Sequence, residues 1–242
     1  MKAVILAGGT GTRLAPLTRW TNKHLLPVGT HPMICYGIAK LKEAGMRDIV
    51  IITGRSAIAG FADVLGSGQD WGVSLMYRIQ EKPGGIAEAL ELAKPMIAAG
   101  EKFAVLLGDN LFEKSLRPYR DNFECQAGGA LVLLKQVEDP RRYGVPVLDR
   151  EQGRIVRIEE KPEHPASDYC VTGLYFYDTD VFSMIDRISP SRRGELEITD
   201  VNNEYARSGS LHYAEVDGWW TDAGTFASLE AAGRRLKGQL PL

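Results

Sequence analysis

Short apolar runs that alternate with segments of helical spacing dominate the first half of the chain. The runs are five to eight residues long and rich in β-branched side chains, which is typical of strands. The predicted strands are 2–7, 48–53, 73–80 and 103–107, and the predicted helices are 32–44, 58–65 and 86–99. Strands that are apolar on both faces favour a mostly parallel sheet covered by helices on both sides. This half therefore predicts an α/β fold.

The pattern changes in the second half, where strands follow one another with little helix between them. The predicted strands are 129–136, 145–148, 154–158, 171–177 and 211–216, and the predicted helices are 180–186, 199–206 and 226–237. This half predicts a smaller mixed or antiparallel extension of a Rossmann-like sheet. No low-complexity linker or internal repeat divides the chain, so we expect a single domain over residues 1–242.

Composition excludes several classes of protein. The 242 residues include 29 Lys and Arg against 31 Asp and Glu, a net charge of −2, and 44% are hydrophobic. Such a chain offsets its ordering entropy by burial, so it is not disordered, and it has no basic footprint for nucleic acid. The apolar runs are too short to span a membrane, and the N-terminal run is shorter than a secretory signal. These observations predict a cytoplasmic protein without nucleic-acid or membrane partners.

The three cysteines give no metal or disulfide signal. Cys35, Cys125 and Cys170 form an odd set without the CxxC spacing of a zinc site. We expect them to be buried free thiols.

A glycine-rich turn follows the first predicted strand. Gly8, Gly9 and Gly11 allow the backbone N–H groups to approach an anion closely, and Arg13 adds a forked donor set. The sequence is not a P-loop, which requires Lys after the last glycine, and Leu14 replaces the third glycine of a dinucleotide fingerprint. The turn by itself is equally compatible with an ordinary connection between a strand and a helix.

Three charged residues lie in other predicted turns. Lys23 precedes Pro27, Asp109 follows the strand that ends at residue 107, and Asp222 lies in W-W-T-D-A-G. Two carboxylates from distant segments would suit a hard divalent cation whose shell phosphate oxygens complete. Taken singly, each Asp could be a turn residue or a helix cap, and Lys23 could be a surface lysine.

The motif G-G-x-G-T-R-L-x-P-x-T followed by N-K-x-L-L-P-V resembles the signature of sugar-1-phosphate nucleotidylyltransferases, most closely the glucose-1-phosphate thymidylyltransferase branch. Segment 79–89 is similar to the family's base-recognition stretch, and 143–145, 158–162, 171–173 and 193–200 are similar to its sugar-binding segments. The matches extend from residue 2 to about residue 225, in the family's order. The resemblance implies that 1–127 mainly bind the nucleotide, that 128–225 mainly bind the sugar, and that 226–242 form a C-terminal helix.

The resemblance also implies roles for individual residues. The implied nucleotide-binding residues are Leu6, Gly8, Gly9, Gly11, Thr12, Arg13, Gln80, Pro83, Gly85 and Asp109. The implied sugar-phosphate-binding residues are Asn110, Gly144, Glu160, Lys161, Val171, Arg193 and Trp220. Arg13, Lys23 and Asp109 would be catalytic, and Asp109 and Asp222 would bind Mg²⁺.

The implied reaction transfers a nucleotidyl group from dTTP to glucose-1-phosphate by Mg²⁺-dependent in-line displacement, giving dTDP-glucose and pyrophosphate for polysaccharide or dTDP-rhamnose synthesis. The alternatives are the same chemistry with UTP or another sugar-1-phosphate, and a regulatory module that binds a nucleotide without catalysis. His24 departs from the family's usual Gln. The chain also resembles short, spore-coat-type members, which lack the C-terminal helices used for assembly and regulation. A homo-oligomer remains possible.

Overall fold

A seven-stranded sheet forms the centre of the fold in the computed structural model, which describes residues 1–237. The strands are β1 (Lys2–Ala7), β2 (Pro27–Val28), β3 (His31–Pro32), β4 (Asp48–Gly54), β5 (Ser74–Gln80), β6 (Phe103–Leu107), β7 (Asn110–Phe112), β8 (Ala130–Gln136), β9 (Gly144–Asp149), β10 (Arg154–Glu160), β11 (Tyr169–Tyr177), β12 (Leu211–Glu215) and β13 (Trp220–Asp222). The order in the central sheet is β12-β8-β11-β6-β1-β4-β5.

Helices connect these strands. They are α1 (Met33–Glu43), α2 (Ile58–Leu65), α3 (Ile86–Glu91), α4 (Arg117–Cys125), α5 (Val181–Ile185), α6 (Ile198–Arg207) and α7 (Phe226–Arg235). Within residues 1–237, no helix is long and apolar enough to cross a membrane.

The central sheet is mostly parallel, as the sequence predicts. Strand β1 pairs in parallel with β4 and β6, β4 pairs in parallel with β5, and β8 with β12. Strand β11 runs antiparallel to both of its neighbours, β6 and β8. Three strands of the predicted extension (β8, β11 and β12) therefore continue the main sheet, and β9 and β10 form a separate antiparallel pair. The sequence could not show which strands join the main sheet and which form a separate pair, because the residues of an apolar strand do not specify its neighbour.

Both faces of the sheet are covered by helices. In β1, Ala3 and Ile5 pack with residues of α1, α2 and α4, whereas Val4 and Leu6 pack with residues of α3, α5 and α6. Alternate residues of a strand point to opposite faces, and here both faces are buried. This confirms the prediction of helices on both sides.

The three cysteines are free thiols, and Cys35 and Cys170 are buried, as the sequence predicts. Cys125 is exposed, which corrects its prediction as buried. It is the last residue of α4, whose buried face is formed by Tyr119 and Phe123.

Two predicted helices end earlier in the structure by two residues or more. The helix predicted over 86–99 stops at Glu91, and a separate 3-10 turn spans Lys94–Met96. Pro95 explains the difference, because proline lacks the N–H for the helical hydrogen bond and clashes with the carbonyl one turn earlier. Helix α7 ends at Arg235 rather than 237, and residues 238–242 of the predicted C-terminal segment lie outside the described residues.

A small third core fixes the strands that carry the site. It contains Val28 of β2, Met33 of α1, Leu111 of β7, Ala232 of α7 and Ala223, which directly follows β13. Strands β7 and β13 pair with Asp222 opposite Asn110, and the Ala223 N–H donates to the Asp109 carbonyl at 2.8 Å. The two sequence-predicted acids are thereby held at one edge of the molecule.

Because both halves contribute strands to one sheet, we predict that the chain unfolds as one cooperative unit. Ile5→Ala should lower the free energy of unfolding by about 2–5 kcal/mol, since it leaves a cavity in the core. Urea unfolding followed by tryptophan fluorescence and by far-UV circular dichroism should give one shared midpoint, which moves as a whole in the variant. Two separate transitions, with only one sensitive to Ile5→Ala, would contradict the single domain.

Candidate functional site

A cavity of about 640 Å³ opens at the carboxyl ends of β1 and β6 and extends towards β10, β11 and α6. Open α/β sheets bind ligands at this edge. The sequence-predicted residues that line it are Leu6, Gly8, Gly9, Thr12, Arg13, Lys23, Gln80, Pro83, Gly85, Asp109, Asn110, Gly144, Glu160, Lys161, Val171, Arg193, Trp220 and Asp222. The fold thus brings together segments that are up to two hundred residues apart in the sequence.

Gly11 is the sequence-predicted site residue that is absent from the cavity wall. Its φ is +67°, and a Cβ there would lie 2.8 Å from Thr18 Cγ2 and 2.9 Å from Lys23 Cβ. Gly11 therefore shapes the loop and packs against Lys23. Its role in nucleotide binding stays a prediction.

The other glycines of the loop allow two functional side chains to press against the backbone. A Cβ on Gly8 would lie 2.5 Å from Gln80 Oε1, and one on Gly9 would lie 3.2 Å from Lys23 Cε. The loop then enters a 3-10 turn at Thr12–Leu14. The turn places the Arg13 guanidinium near Asp222, so that a Cβ on Gly224 would meet both side chains.

An ion pair joins Lys23 and Asp109, two of the three predicted catalytic residues, in the cavity wall. Lys23 Nζ lies 2.5 Å from Asp109 Oδ2, and both side chains are largely buried. Burial alone would raise the pKa of Asp109, but the Lys23 ammonium holds that pKa well below its usual range. Asp109 is therefore ionised at neutral pH.

Asp222 lies nearby, and its pKa is shifted upward, in the direction opposite to that of Asp109. Burial raises its pKa, and the charge of Asp109 adds to the rise, whereas the Tyr143 hydroxyl, which donates to Asp222 Oδ1 at 2.9 Å, opposes it. The mutual repulsion of two buried carboxylates is what a bound cation relieves, and oxygen ligands suit a hard divalent ion. Within residues 1–237, no group of three or more His, Cys, Asp or Glu residues has metal-site geometry.

One end of the cavity is closed by a contact between distant loops. Gln80 is buried, and its Nε2 donates to Glu88 Oε1 at 3.2 Å. At Gly85, φ is +106° and a Cβ would lie 2.4 Å from the Leu196 carbonyl oxygen. The Leu196 N–H in turn donates to the Gly84 carbonyl at 2.8 Å. The glycine at 85 is thus required by both backbone conformation and close approach.

The other end carries paired charges. Glu160 accepts a hydrogen bond from Thr199 Oγ1 at 2.6 Å and lies 2.8 Å from Lys161 Nζ. Arg193 pairs with Glu197 at 2.8 Å. The side chains of Lys161 and Arg193 are 45% and 50% exposed, so both cations are accessible to an anionic ligand.

Sequence reasoning missed several side chains of the cavity wall. They are His24, Arg142, Tyr143, Tyr175, Glu197, Thr199 and Asn202. Tyr143, Glu197 and Thr199 lie inside segments that the family resemblance identified, so that signal could have found them. Tyr175 and Asn202 lie just outside those segments, and only the packing of β11 and α6 shows that they line the cavity.

His24 is buried beside the ion pair. Its Nδ1 lies 2.7 Å from Asn22 Oδ1, and burial together with the neighbouring Lys23 charge lowers the pKa of His24 to about 3. His24 is therefore neutral in the folded protein at physiological pH.

The site combines a glycine-rich loop, a lysine and two carboxylates at the strand ends of an α/β sheet. This combination is typical of enzymes that transfer phosphate-containing groups from nucleotides. The family model of nucleotidyl transferases matches residues 2–238. The chain belongs to the nucleotidyl transferase family, whose members act on small-molecule substrates and generally use a divalent metal.

Three similar proteins support this assignment. The chain is 44% identical to glucose-1-phosphate thymidylyltransferase of Neisseria meningitidis serogroup A, covering 96% of this chain and 81% of the relative. A Bacillus anthracis crystal structure, described as a glucose-1-phosphate thymidylyltransferase with sucrose, is 51% identical, with a TM-score of 0.94 and coverage of 99% and 96%. UDP-glucose pyrophosphorylase complexed with UDP-glucose is 25% identical, with a TM-score of 0.85 and coverage of 97% of both chains.

We predict that Gly85→Ala weakens nucleotide binding, whereas Gly153→Ala, at another glycine with positive φ, does not. A Cβ at position 85 would meet the Leu196 backbone, but at position 153 nothing lies within 4 Å of it. Titration with a nucleoside triphosphate should show affinity reduced about tenfold or more in Gly85→Ala, which corresponds to about 1.4 kcal/mol. Equal affinities in the two variants would contradict a specific backbone requirement at Gly85.

We also predict that His24 makes the fold sensitive to mild acid. The unfolded chain binds a proton at His24 near pH 6.5, whereas the folded protein does so only near the lowered pKa of about 3. The stability that neutral His24 contributes is therefore complete above pH 6.5 and is lost as the pH falls towards 3. Between pH 7 and pH 5, the wild type should lose about 2 kcal/mol more unfolding free energy than His24→Gln. Parallel losses in urea titrations of the two proteins would contradict this account.

Proposed function

We propose that the protein transfers a thymidylyl group from dTTP to glucose-1-phosphate, giving dTDP-glucose and pyrophosphate. The observation that carries the proposal is that one continuous cavity has the glycine-rich loop, Lys23 and Asp109 at one end and Glu160 and Lys161 at the other. The volume suits a nucleotide and a hexose phosphate together. The names of the similar enzymes favour dTTP and glucose-1-phosphate.

The chemistry needs alignment and charge neutralisation rather than a strong base. An oxygen of the sugar phosphate, already negatively charged, forms a bond to the α-phosphorus of the triphosphate. The bond from that phosphorus to the bridging oxygen breaks, and its electron pair leaves with pyrophosphate. Two polyanions must approach each other in line, so the main barrier is their repulsion and orientation.

The cationic side chains are distributed to meet this requirement. Arg13 and the loop N–H groups would bind the triphosphate, and Lys23 would stabilise charge at the α-phosphate. Lys161 and Arg193, exposed to the cavity at its far end, would bind and orient the phosphate of the sugar. Forked guanidinium groups suit phosphate oxygens especially well.

Asp109 and Asp222 would hold Mg²⁺. When bound, the ion neutralises charge on the phosphate oxygens. The Lys23 ion pair keeps Asp109 ionised, and Tyr143 orients Asp222 by donating to one carboxylate oxygen. Both residues are therefore prepared to bind a cation.

The remaining wall residues would recognise the two substrates. Leu6, Gln80, Pro83 and Gly85 would surround the base, with Gln80 offering its buried amide. The hexose would contact Asn110, Gly144, Glu160, Val171 and Trp220, which lie towards the other end of the cavity. A cytoplasmic location and a possible homo-oligomer stay predictions.

The deciding experiment is a pyrophosphate-release assay with Mg²⁺ and glucose-1-phosphate, run in parallel with dTTP, UTP, CTP, ATP and GTP. We expect the fastest release with dTTP and none when the sugar phosphate is omitted. Faster release with UTP would keep the chemistry and change the base. No release from any pair, by a folded protein that still binds nucleotide, would contradict the enzyme and favour a regulatory binding module.

We predict that Asp109→Asn lowers turnover by about a hundredfold or more, because it removes a proposed metal ligand and the charge that pairs with Lys23. Asp63→Asn is the matched control, since Asp63 is an exposed residue of α2. The assay compares kcat at saturating Mg²⁺, with circular dichroism to verify the fold. Full turnover in Asp109→Asn would contradict the proposed role.

A further inference from the structure

Asn110 lies where three distant segments of the chain meet at the cavity. It begins β7 directly after Asp109, and only 4% of its surface is exposed. Strand β13 pairs with β7 at this point, and β11 passes against the Asn110 side chain. A residue in this position is able to couple the two ends of the site.

The hydrogen bonds of the Asn110 carboxamide connect all three segments. Its Oδ1 accepts from the Gly173 backbone N–H at 2.8 Å and from the Trp220 indole Nε1–H at 2.8 Å. Its Nδ2 donates to Asp109 Oδ1 at 3.0 Å. A carboxamide oxygen has two acceptor positions, and both are used here. The orientation of the amide is fixed, because a reversed amide would face two donors with its own N–H groups.

The backbone of β11 is shaped to make this contact. The pairing of β11 with β8 shifts in register between Val171 and Tyr175, so Gly173 lies in an irregular part of the strand. A Cβ on Gly173 would lie 2.4 Å from Asn110 Nδ2, so a side chain larger than hydrogen would push Asn110 away. Irregularities of this kind commonly occur next to active sites.

The network continues to the second carboxylate. The ring of Trp220 meets that of Tyr143 edge to face, with centroids 5.5 Å apart. The Tyr143 hydroxyl donates to Asp222 Oδ1 at 2.9 Å. A path of direct contacts therefore runs from Asp109 through Asn110, Trp220 and Tyr143 to Asp222.

We propose that Asn110 is a positioning residue that holds the Trp220 indole at the sugar end in a fixed relation to the Asp109 carboxylate at the phosphate end. Asn110 acts mainly by orienting the side chains of Trp220 and Asp109, and less by its own contact with substrate. The kinetic part of the proposal rests on the proposed function, whereas the structural part does not.

Three variants separate the contacts. Asn110→Ala removes all of them. Asn110→Asp has nearly the same shape and keeps the acceptors for Gly173 and Trp220, but it loses the donor to Asp109 and places a second carboxylate beside it. Trp220→Phe keeps an aromatic ring but removes the indole N–H together with the five-membered ring that carries it.

The structural test uses the indole N–H signals in the NMR spectrum of the ¹⁵N-labelled protein. The signal missing from Trp220→Phe identifies Trp220, and the signals of Trp20 and Trp71 serve as internal controls. We expect the Trp220 signal to move upfield in Asn110→Ala and to stay close to its wild-type position in Asn110→Asp. A Trp220 signal that does not move in Asn110→Ala would overturn the proposal. If that variant does not fold, Asn110→Ser takes its place with the same expected outcomes.

The kinetic test is a double-mutant cycle on the KM for sugar phosphate. We expect KM to rise about threefold in Trp220→Phe and about tenfold in Asn110→Ala. In the double variant it should still rise only about tenfold, because both changes break the same hydrogen bond between Trp220 and Asn110. Asn110→Asp should change KM by less than about twofold and lower kcat about tenfold, because it disturbs Asp109 alone.

A multiplicative effect of about thirtyfold in the double variant would overturn the proposal, since Asn110 would then act on substrate independently of Trp220. If the wild type releases no pyrophosphate from any substrate pair, the proposed function fails, and the NMR result decides the positioning of Trp220 by itself.

Discussion

The parallel pairing of β1 with β6 is the constraint on which the site depends. Leu6 pairs with Leu107, so both strands end at the same level, and the Gly108 N–H then donates to the Leu6 carbonyl at 3.0 Å. This brings the glycine-rich loop beside Asp109, although the two are about a hundred residues apart in the sequence. The ion pair between Lys23 and Asp109 becomes possible only because the strands are in this register.

The buried charges of the cavity are balanced in a way that prepares it for anions and a cation. Lys23 offsets the cost of burying Asp109, whereas the charge of Asp222 is opposed by burial and by Asp109. A buried charge is tolerated only when it is paired or hydrogen-bonded, and a site that binds highly charged ligands retains some of this imbalance. The exposed cations Lys161 and Arg193 complete the arrangement at the far end.

Two sets of contacts make one site from two halves of the chain. The backbone of Gly84 and Gly85 packs against Leu196, and the side chain of Asn110 joins β7, β11 and β13. Each contact depends on a glycine that allows close approach, at position 85 in one case and 173 in the other. The geometry of the site is therefore encoded in the backbone as much as in the charged side chains.

The sequence alone determined the α/β class, the covering of both sheet faces and the family, because hydrophobic periodicity and short glycine-rich motifs are local properties. It also identified Lys23, Asp109 and Asp222, whose surrounding motifs are distinctive. It placed β8, β11 and β12 in an extension, because the pairing of strands is not determined by local sequence. It also extended α3 past Pro95, because the helical spacing of apolar residues continues beyond that proline. Only the tertiary structure decided that Gly11 packs against Thr18 and Lys23, and that Tyr175 and Asn202 line the cavity. Those outcomes depend on how distant strands and helices pack, and no local pattern carries that information.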